Sequence, residues 1–290
     1  MSVIEPRPSR TSQVVAVTRA EFARPHSPAG DPDAQRRLCQ GMSPAWVGRL
    51  YPHLEARTRF FDDQVLAAVA RGIGQVVILG AGYEDRALRF RTPGVHFFEL
   101  DHPGTQADKR LRLEAIPDGL VGVTLAPIDF RTDDVGQVLA GCGHDATRPS
   151  LFICEGVLVY LDQPTTVTLL AGARSRAAGG STLAVTLAVH AAGMDSAKVV
   201  AAANARRRAS AAEPWQTILP AAAQVELLSW AGWSLDEAID DATMGTGATP
   251  EHSLSVTARP GPAAGGPPAA PPLPRHRRPA VPTIAGHQQQ

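Results

Sequence analysis

Between about Gln75 and Arg259, short apolar runs alternate with stretches of helical character, and this rhythm narrows the possible folds more than any other feature of the chain. Gln75-Val76-Val77-Ile78-Leu79 is β-branched, unbroken and followed by glycine, the pattern of a strand buried on both faces of a parallel sheet. Further strands are expected at 95–100, 121–128, 150–154 and 181–189, with helices at about 84–90, 104–115, 134–140 and 164–178. Pro164 suits the first turn of the last of these helices. Strand-helix alternation implies a doubly wound α/β fold, with helices on both faces of a mostly parallel sheet. The rhythm then changes: 219–230 has a helical pattern, while 233–240 and 252–257 are extended. Two closing strands joined by a loop imply an antiparallel hairpin, giving seven strands in all.

Two segments fall outside this core. Residues 1–73 contain helical pieces and are expected to form an N-terminal cap. Residues 191–220, which include Arg206-Arg207-Arg208, form an insertion in the domain spanning 74–259. Both can fold over the carboxyl edge of the sheet, where open α/β sheets bind ligands. The plain reading of the three arginines is a solvated helix face; the other is attraction of an anionic ligand. Residues 260–290 are rich in Pro, Gly and Ala without apolar periodicity, so they are expected to be a disordered tail.

Composition excludes several classes. With 44% hydrophobic residues in 290, the chain can bury a sizeable core. Its 28 basic and 28 acidic residues balance, unlike the basic excess of a general nucleic-acid binder. The three cysteines, Cys39, Cys142 and Cys154, are widely spaced and suggest neither a disulfide framework nor a metal site. No apolar run is long enough for a membrane span, and MSVIEPRPSR carries charges and prolines where a signal peptide needs an apolar stretch. A cytoplasmic protein is expected, monomeric or weakly self-associating.

Four motifs stand where strands end. Leu79-Gly80-Ala81-Gly82 allows close approach of backbone to a ligand, or makes a structural turn. Asp85 occupies the third glycine position of a dinucleotide fingerprint; a carboxylate there opposes a diphosphate and suits a nucleoside bearing a positive sulfonium. Phe97-Phe98-Glu99-Leu100-Asp101-His102-Pro103 ends the second strand, about twenty residues past the glycines, where an acid commonly binds ribose hydroxyls. Glu99 and Asp101 share a strand face, so one is expected to grip the ribose and the other to orient it or the glycine loop. Asp129 and Phe130 follow the third strand, an acid and a ring suited to the adenine amino group and its face. Glu155, in Glu155-Gly156-Val157-Leu158-Val159-Tyr160-Leu161, emerges after the fourth strand, well placed for an amine or sulfonium.

In combination and order, LGAG, FFELDHP, IDFR and EGVLVYL resemble the leucine carboxyl methyltransferase family, in its actinobacterial small-molecule branch. The resemblance covers roughly residues 14–259, and VTRAEFARP, GDPDAQRRL and EARTRFFDD look like that family's N-terminal cap. It implies a class I methyltransferase with S-adenosyl-L-methionine as cofactor. By the same resemblance Arg57 binds the cofactor carboxylate with help from Arg19; Gly80, with Ala81 and Gly82, lines the cofactor; Asp101 binds ribose; Asp129 and Phe130 bind adenine; Glu155 meets the methionyl amine. Tyr83-Glu84-Asp85 departs from the Leu-Asp-Thr/Ser that the family often carries.

The implied partner is a small-molecule methyl acceptor, with a carboxylate or hydroxyl oxygen first. Tyr160 and His190 are the candidates for a substrate-side base; their plain readings are a packed aromatic and a hydrogen-bonded strand-end histidine. The rival readings are a protein carboxyl methyltransferase, a cofactor-binding protein of the same fold without transfer activity, an NAD-dependent oxidoreductase and a tRNA-modifying enzyme. The closing hairpin and Asp85 weigh against NAD, and the neutral charge against RNA.

Overall fold

The computed structural model describes residues 8–42, 51–206, 213–240 and 251–262. Arg207, Arg208, the loop between the closing strands and the tail beyond Pro262 lie outside them. The order is α1 (Arg10–Arg19), α2 (Ala34–Leu38), α3 (Tyr51–Ala70), β1 (Gln75–Leu79), α4 (Arg86–Arg89), β2 (His96–Asp101), α5 (Pro103–Glu114), β3 (Val123–Pro127), α6 (Val135–Gly141), β4 (Leu151–Cys154), α7 (Gln163–Ser175), β5 (Thr182–His190), α8 (Ser196–Arg206), β6 (Leu219–Pro220), α9 (Ala221–Trp230), β7 (Trp233–Asp240) and β8 (Glu251–Pro260). A single 3₁₀ turn, Leu158–Tyr160, links β4 to α7.

The sheet has eight strands in the order β3-β2-β1-β4-β5-β8-β7. The first five are parallel, and β8 and β7 close it antiparallel. Seven are the strands read from the sequence. The eighth, β6, is a two-residue strand beside the end of β5, in a stretch expected to begin a helix. The expected helix at 84–90 is also shorter, a single turn that starts at Arg86.

β1 shows why the sheet needs two covering layers. Val77 and Leu79 pack into one apolar cluster with Phe98, Phe152, Leu169 of α7 and Leu228 of α9. Val76 and Ile78 point the other way, toward Phe61, Val65 and Ala68 of α3. The period-2 alternation of a strand therefore fills both cores from one continuous apolar run. A third cluster joins α1, α2 and α5 beside β3. Capping fixes the helices that follow the strands. The Asp162 side chain accepts the Thr165 N–H at 2.9 Å to start α7.

Trp233 anchors the closing strands to the parallel ones. It is fully buried, donates from Nε1 to the Leu170 carbonyl at 2.9 Å and meets Phe152 edge-on at 5.9 Å. Truncation would leave a cavity and remove that hydrogen bond. Trp233→Ala is expected to cost about 3–5 kcal/mol in urea unfolding, against less than about 1 kcal/mol were the contact incidental.

Candidate functional site

Register places the strand ends in one row. Leu79 pairs with Leu100, and Ile78 with Ile153, so the glycine turn, Asp101 and Glu155 emerge at the same edge. The N–H groups of Gly80 and Ala81 both donate to the Leu100 carbonyl, at 2.8 and 3.1 Å. Gly80 has φ of +76°, and a Cβ there would stand 2.2 Å from Val157 Cγ2, so both backbone and space demand glycine. Asp101 secures this turn. Its Oδ2 accepts the Gly82 N–H at 2.6 Å and its Oδ1 the His102 N–H at 2.6 Å. Burial raises the Asp101 carboxyl, and these two N–H donors oppose the rise.

Above this row lies a cavity of about 880 Å³. Gly80, Ala81, Gly82, Asp101 and Phe130 line it, along with Arg19, Arg57, Glu84 and Glu155, which ion pairs bring together. Tyr160, Ala188, Trp215, Gln216, His252 and Ser253 also line it. Both segments outside the core reach it: α1 and α3 from the N-terminal side, and 213–216 from the insertion. The insertion is fastened to the rim by Gln216 N–H on the Val159 carbonyl at 2.7 Å and Thr217 Oγ1 on the Leu161 carbonyl at 2.6 Å. Glu213 accepts the Thr11 N–H at 3.1 Å, tying it to α1.

Three expected site residues stand outside the cavity wall. Glu99, 1% exposed, turns to Lys109, whose Nζ lies 2.5 Å from Oε2; burial pushes its carboxyl up to about 7 despite that ammonium. Of the two acids on β2, Asp101 alone lines the cavity and orients the glycine turn. Asp129 accepts the Arg131 N–H at 3.0 Å, shaping the turn that presents Phe130. His190 is buried, with Nδ1 donating to the Ala191 carbonyl and Nε2 accepting from Ser196 Oγ, both at 2.8 Å. That is the strand-end histidine reading rather than the base.

Asp85 also requires a correction. It does not face a ligand; it is buried between Arg24 Nη1 at 2.6 Å and Arg89 Nε at 2.7 Å. The charge argument against a diphosphate therefore fails at this position. Arg206, exposed, pairs with Glu251 and stands outside the cavity wall.

Sequence reasoning missed the ion network beneath the cavity. Arg19, Arg24, Arg57, Arg86 and Arg89 face Asp62, Glu84, Asp85 and Glu155, five cations to four anions. Burial would raise the Glu155 carboxyl, but Arg19, Arg86 and Arg57 hold it well below the usual carboxylate range. Arg57, in the cavity wall, donates from Nε to Glu155 at 2.9 Å. The available signal was Arg86 itself, a charged residue in a glycine-led turn that the buried strand forces into the interior.

The leucine carboxyl methyltransferase family profile matches residues 14–173. The chain belongs to this family. Among curated relatives, a Streptomyces coelicolor protein assigned by name to the S-adenosyl-L-methionine-dependent methyltransferases is 40% identical over 134 residues, 45% of this chain and 47% of that protein. A Mycolicibacterium gilvum protein of the same designation is 38% identical over 144 residues, 49% of this chain and 47% of its own. The match thus spans about half the length of these relatives. A solved structure from Thermobifida fusca, named as a methyltransferase, shares the fold with a TM-score of 0.57 at 16% identity, covering 89% of this chain and 97% of that one. No helix among the described residues is long and apolar enough to cross a membrane.

The network makes this family member sensitive to acid. Burial alone would raise the Asp85 carboxyl; Arg24 and Arg89 overrule it and hold it at about 2, below its ordinary 3.8. The unfolded chain then takes up the proton first, so this stabilisation is complete above about pH 5 and lost as pH falls toward 2, on the order of 2 kcal/mol. Urea unfolding between about pH 5 and 2.5 is expected to show a steeper loss for the native chain than for Asp85→Asn; equal slopes would contradict the assignment.

Proposed function

We propose that this chain is an S-adenosyl-L-methionine-dependent methyltransferase that methylates a carboxylate or hydroxyl oxygen of a small molecule. The observation that carries this reading is Asp101: a strand-end carboxylate that lines the cavity while bonding the N–H of the glycine turn at 2.6 Å. Each of its oxygens has accepted one N–H and keeps lone-pair capacity for a ribose hydroxyl.

The surrounding residues fit the rest of such a cofactor. Phe130 offers an apolar face to adenine, on a turn shaped by Asp129. The guanidinium groups of Arg57 and Arg19, both in the cavity wall, suit the cofactor carboxylate. Glu155 is held ionised in the wall, as the methionyl ammonium requires. Gly80, Ala81 and Gly82 keep that wall thin. Glu99 pairs with Lys109 of α5, whose Nζ also donates to the Glu84 carbonyl at 2.8 Å.

Bound there, S-adenosyl-L-methionine supplies an already activated methyl group. The protein's task is then alignment and exclusion of water, worth roughly 7–11 kcal/mol when geometry is right. Residues 1–73 act as the cap and 191–220 as the lid that complete the cavity. An acceptor carboxylate, with an ordinary pKa near 4, is ionised at neutral pH and needs no base. A hydroxyl acceptor needs a proton acceptor near the methyl group, and Tyr160 is the candidate in the wall. The cavity volume of about 880 Å³ suits a cofactor with a small acceptor rather than a macromolecular one.

Calorimetric titration with S-adenosyl-L-methionine, and separately with NAD, tests this reading. The native chain is expected to bind the former and not the latter, and Asp101→Asn to weaken binding by about 1–3 kcal/mol while folding normally. No binding of S-adenosyl-L-methionine, or tighter binding of NAD, would overturn it.

A further inference from the structure

We infer that Arg86 is a positioning residue for the amino-acid end of the cofactor site, an inference that rests on the reading above. Arg86 is fully buried and is not part of the cavity wall. Its guanidinium nevertheless holds two carboxylates of that wall. Nη1 donates to Glu84 Oε2 at 2.7 Å and to Glu155 Oε2 at 2.9 Å. Nε donates to Asp62 Oδ1 at 2.8 Å, Nη2 to the Thr58 carbonyl at 3.3 Å, and the group lies over the Phe61 ring at 5.7 Å.

These partners come from three places: α3, the glycine turn and the end of β4. One rigid fork therefore fixes the cap against the sheet edge, and the bond to Glu155 fixes a carboxylate orientation. Arg19 and Arg57 both reach Oε1 of Glu155, from the cavity side. Arg86 takes the opposite oxygen, Oε2, from beneath. With Oε1 accepting from two arginines and Oε2 from Arg86, Glu155 is fixed in orientation and keeps one acceptor site, on Oε2, for an ammonium group in the cavity. A lysine at position 86 would bring the charge without the planar fork, and could not hold Asp62, Glu84 and Glu155 in the same arrangement. Arg86 thus acts on the ligand only through Glu155 and Glu84.

The test compares two nucleosides on the full chain by calorimetry. S-adenosylhomocysteine has the amino-acid end; 5′-methylthioadenosine shares the adenine, ribose and sulfur but lacks it. Arg86→Lys is expected to weaken S-adenosylhomocysteine about tenfold or more while leaving methylthioadenosine within about twofold. Glu155→Gln should show the same selective loss, and the double variant should add little to either single one. A merely structural role would weaken both nucleosides together, and that result, an unchanged preference, or additive losses would overturn the inference. If Arg86→Lys fails to fold, Asp62→Asn frees Arg86 Nε without touching the cavity wall, and the same selective loss is expected. A native chain that binds S-adenosylhomocysteine and variants that keep its preference would sink this inference alone. A native chain that binds neither nucleoside would sink the functional reading and this inference with it.

Discussion

The site depends on the parallel register of β1, β2 and β4. Because Leu79 lies beside Leu100 and Ile78 beside Ile153, three chain segments far apart in sequence leave the sheet at one level. That register has its own cause: β1 and β4 are apolar on both faces, and β2 buries Phe98 and Leu100 on one face and Phe97 on the other, between covering helices. A slip by one residue would exchange the two cores and turn Asp101 away from the glycine turn. The chemistry at the edge is thus secured by packing well inside the protein.

Apolar packing seats the cap helices on the sheet, and the buried ion network ties them to the strand ends at that edge. Arg24 joins Asp62 on α3 to Asp85 at the start of α4, and Arg86 joins Asp62 to Glu84 and Glu155. Isolated, any of these charges would be costly to bury; interlocked, each arginine faces at least one carboxylate at hydrogen-bond distance. Among the described residues of this network five arginines face four carboxylates, and Arg19 and Arg57 both line the cavity. Tyr160, Trp215 and His252, which also line the cavity, come from separate segments outside this network.

Much of this was legible in the sequence, for identifiable reasons. Gln75–Leu79 could be read as a buried strand because its β-branched run ends in glycines, and the closing hairpin because the strand–helix rhythm breaks after His190. The glycine turn, Asp101, Phe130 and Glu155 stand at strand ends, where local pattern and position coincide. What was not legible depends on which way a side chain turns at equal sequence distance. Glu99 and Asp101 share a face, yet one meets Lys109 and the other the cavity. Asp85 resembles a ligand-facing acid until Arg24 and Arg89 are seen around it. His190 ends a strand at the right edge, but Ser196 and the Ala191 carbonyl occupy both its nitrogens. These outcomes are set by which way each side chain turns, toward partners as near as Ala191 and Arg89 or as far as Arg24, and spacing does not reveal that direction.

The most direct test of the account is a crystal structure of the chain with S-adenosylhomocysteine. The account predicts the ribose hydroxyls on Asp101, adenine against Phe130, and the amino-acid end between Arg57 and Glu155. Ligand bound elsewhere in the cavity, with Asp101 engaged only by the backbone of its own turn, would contradict it.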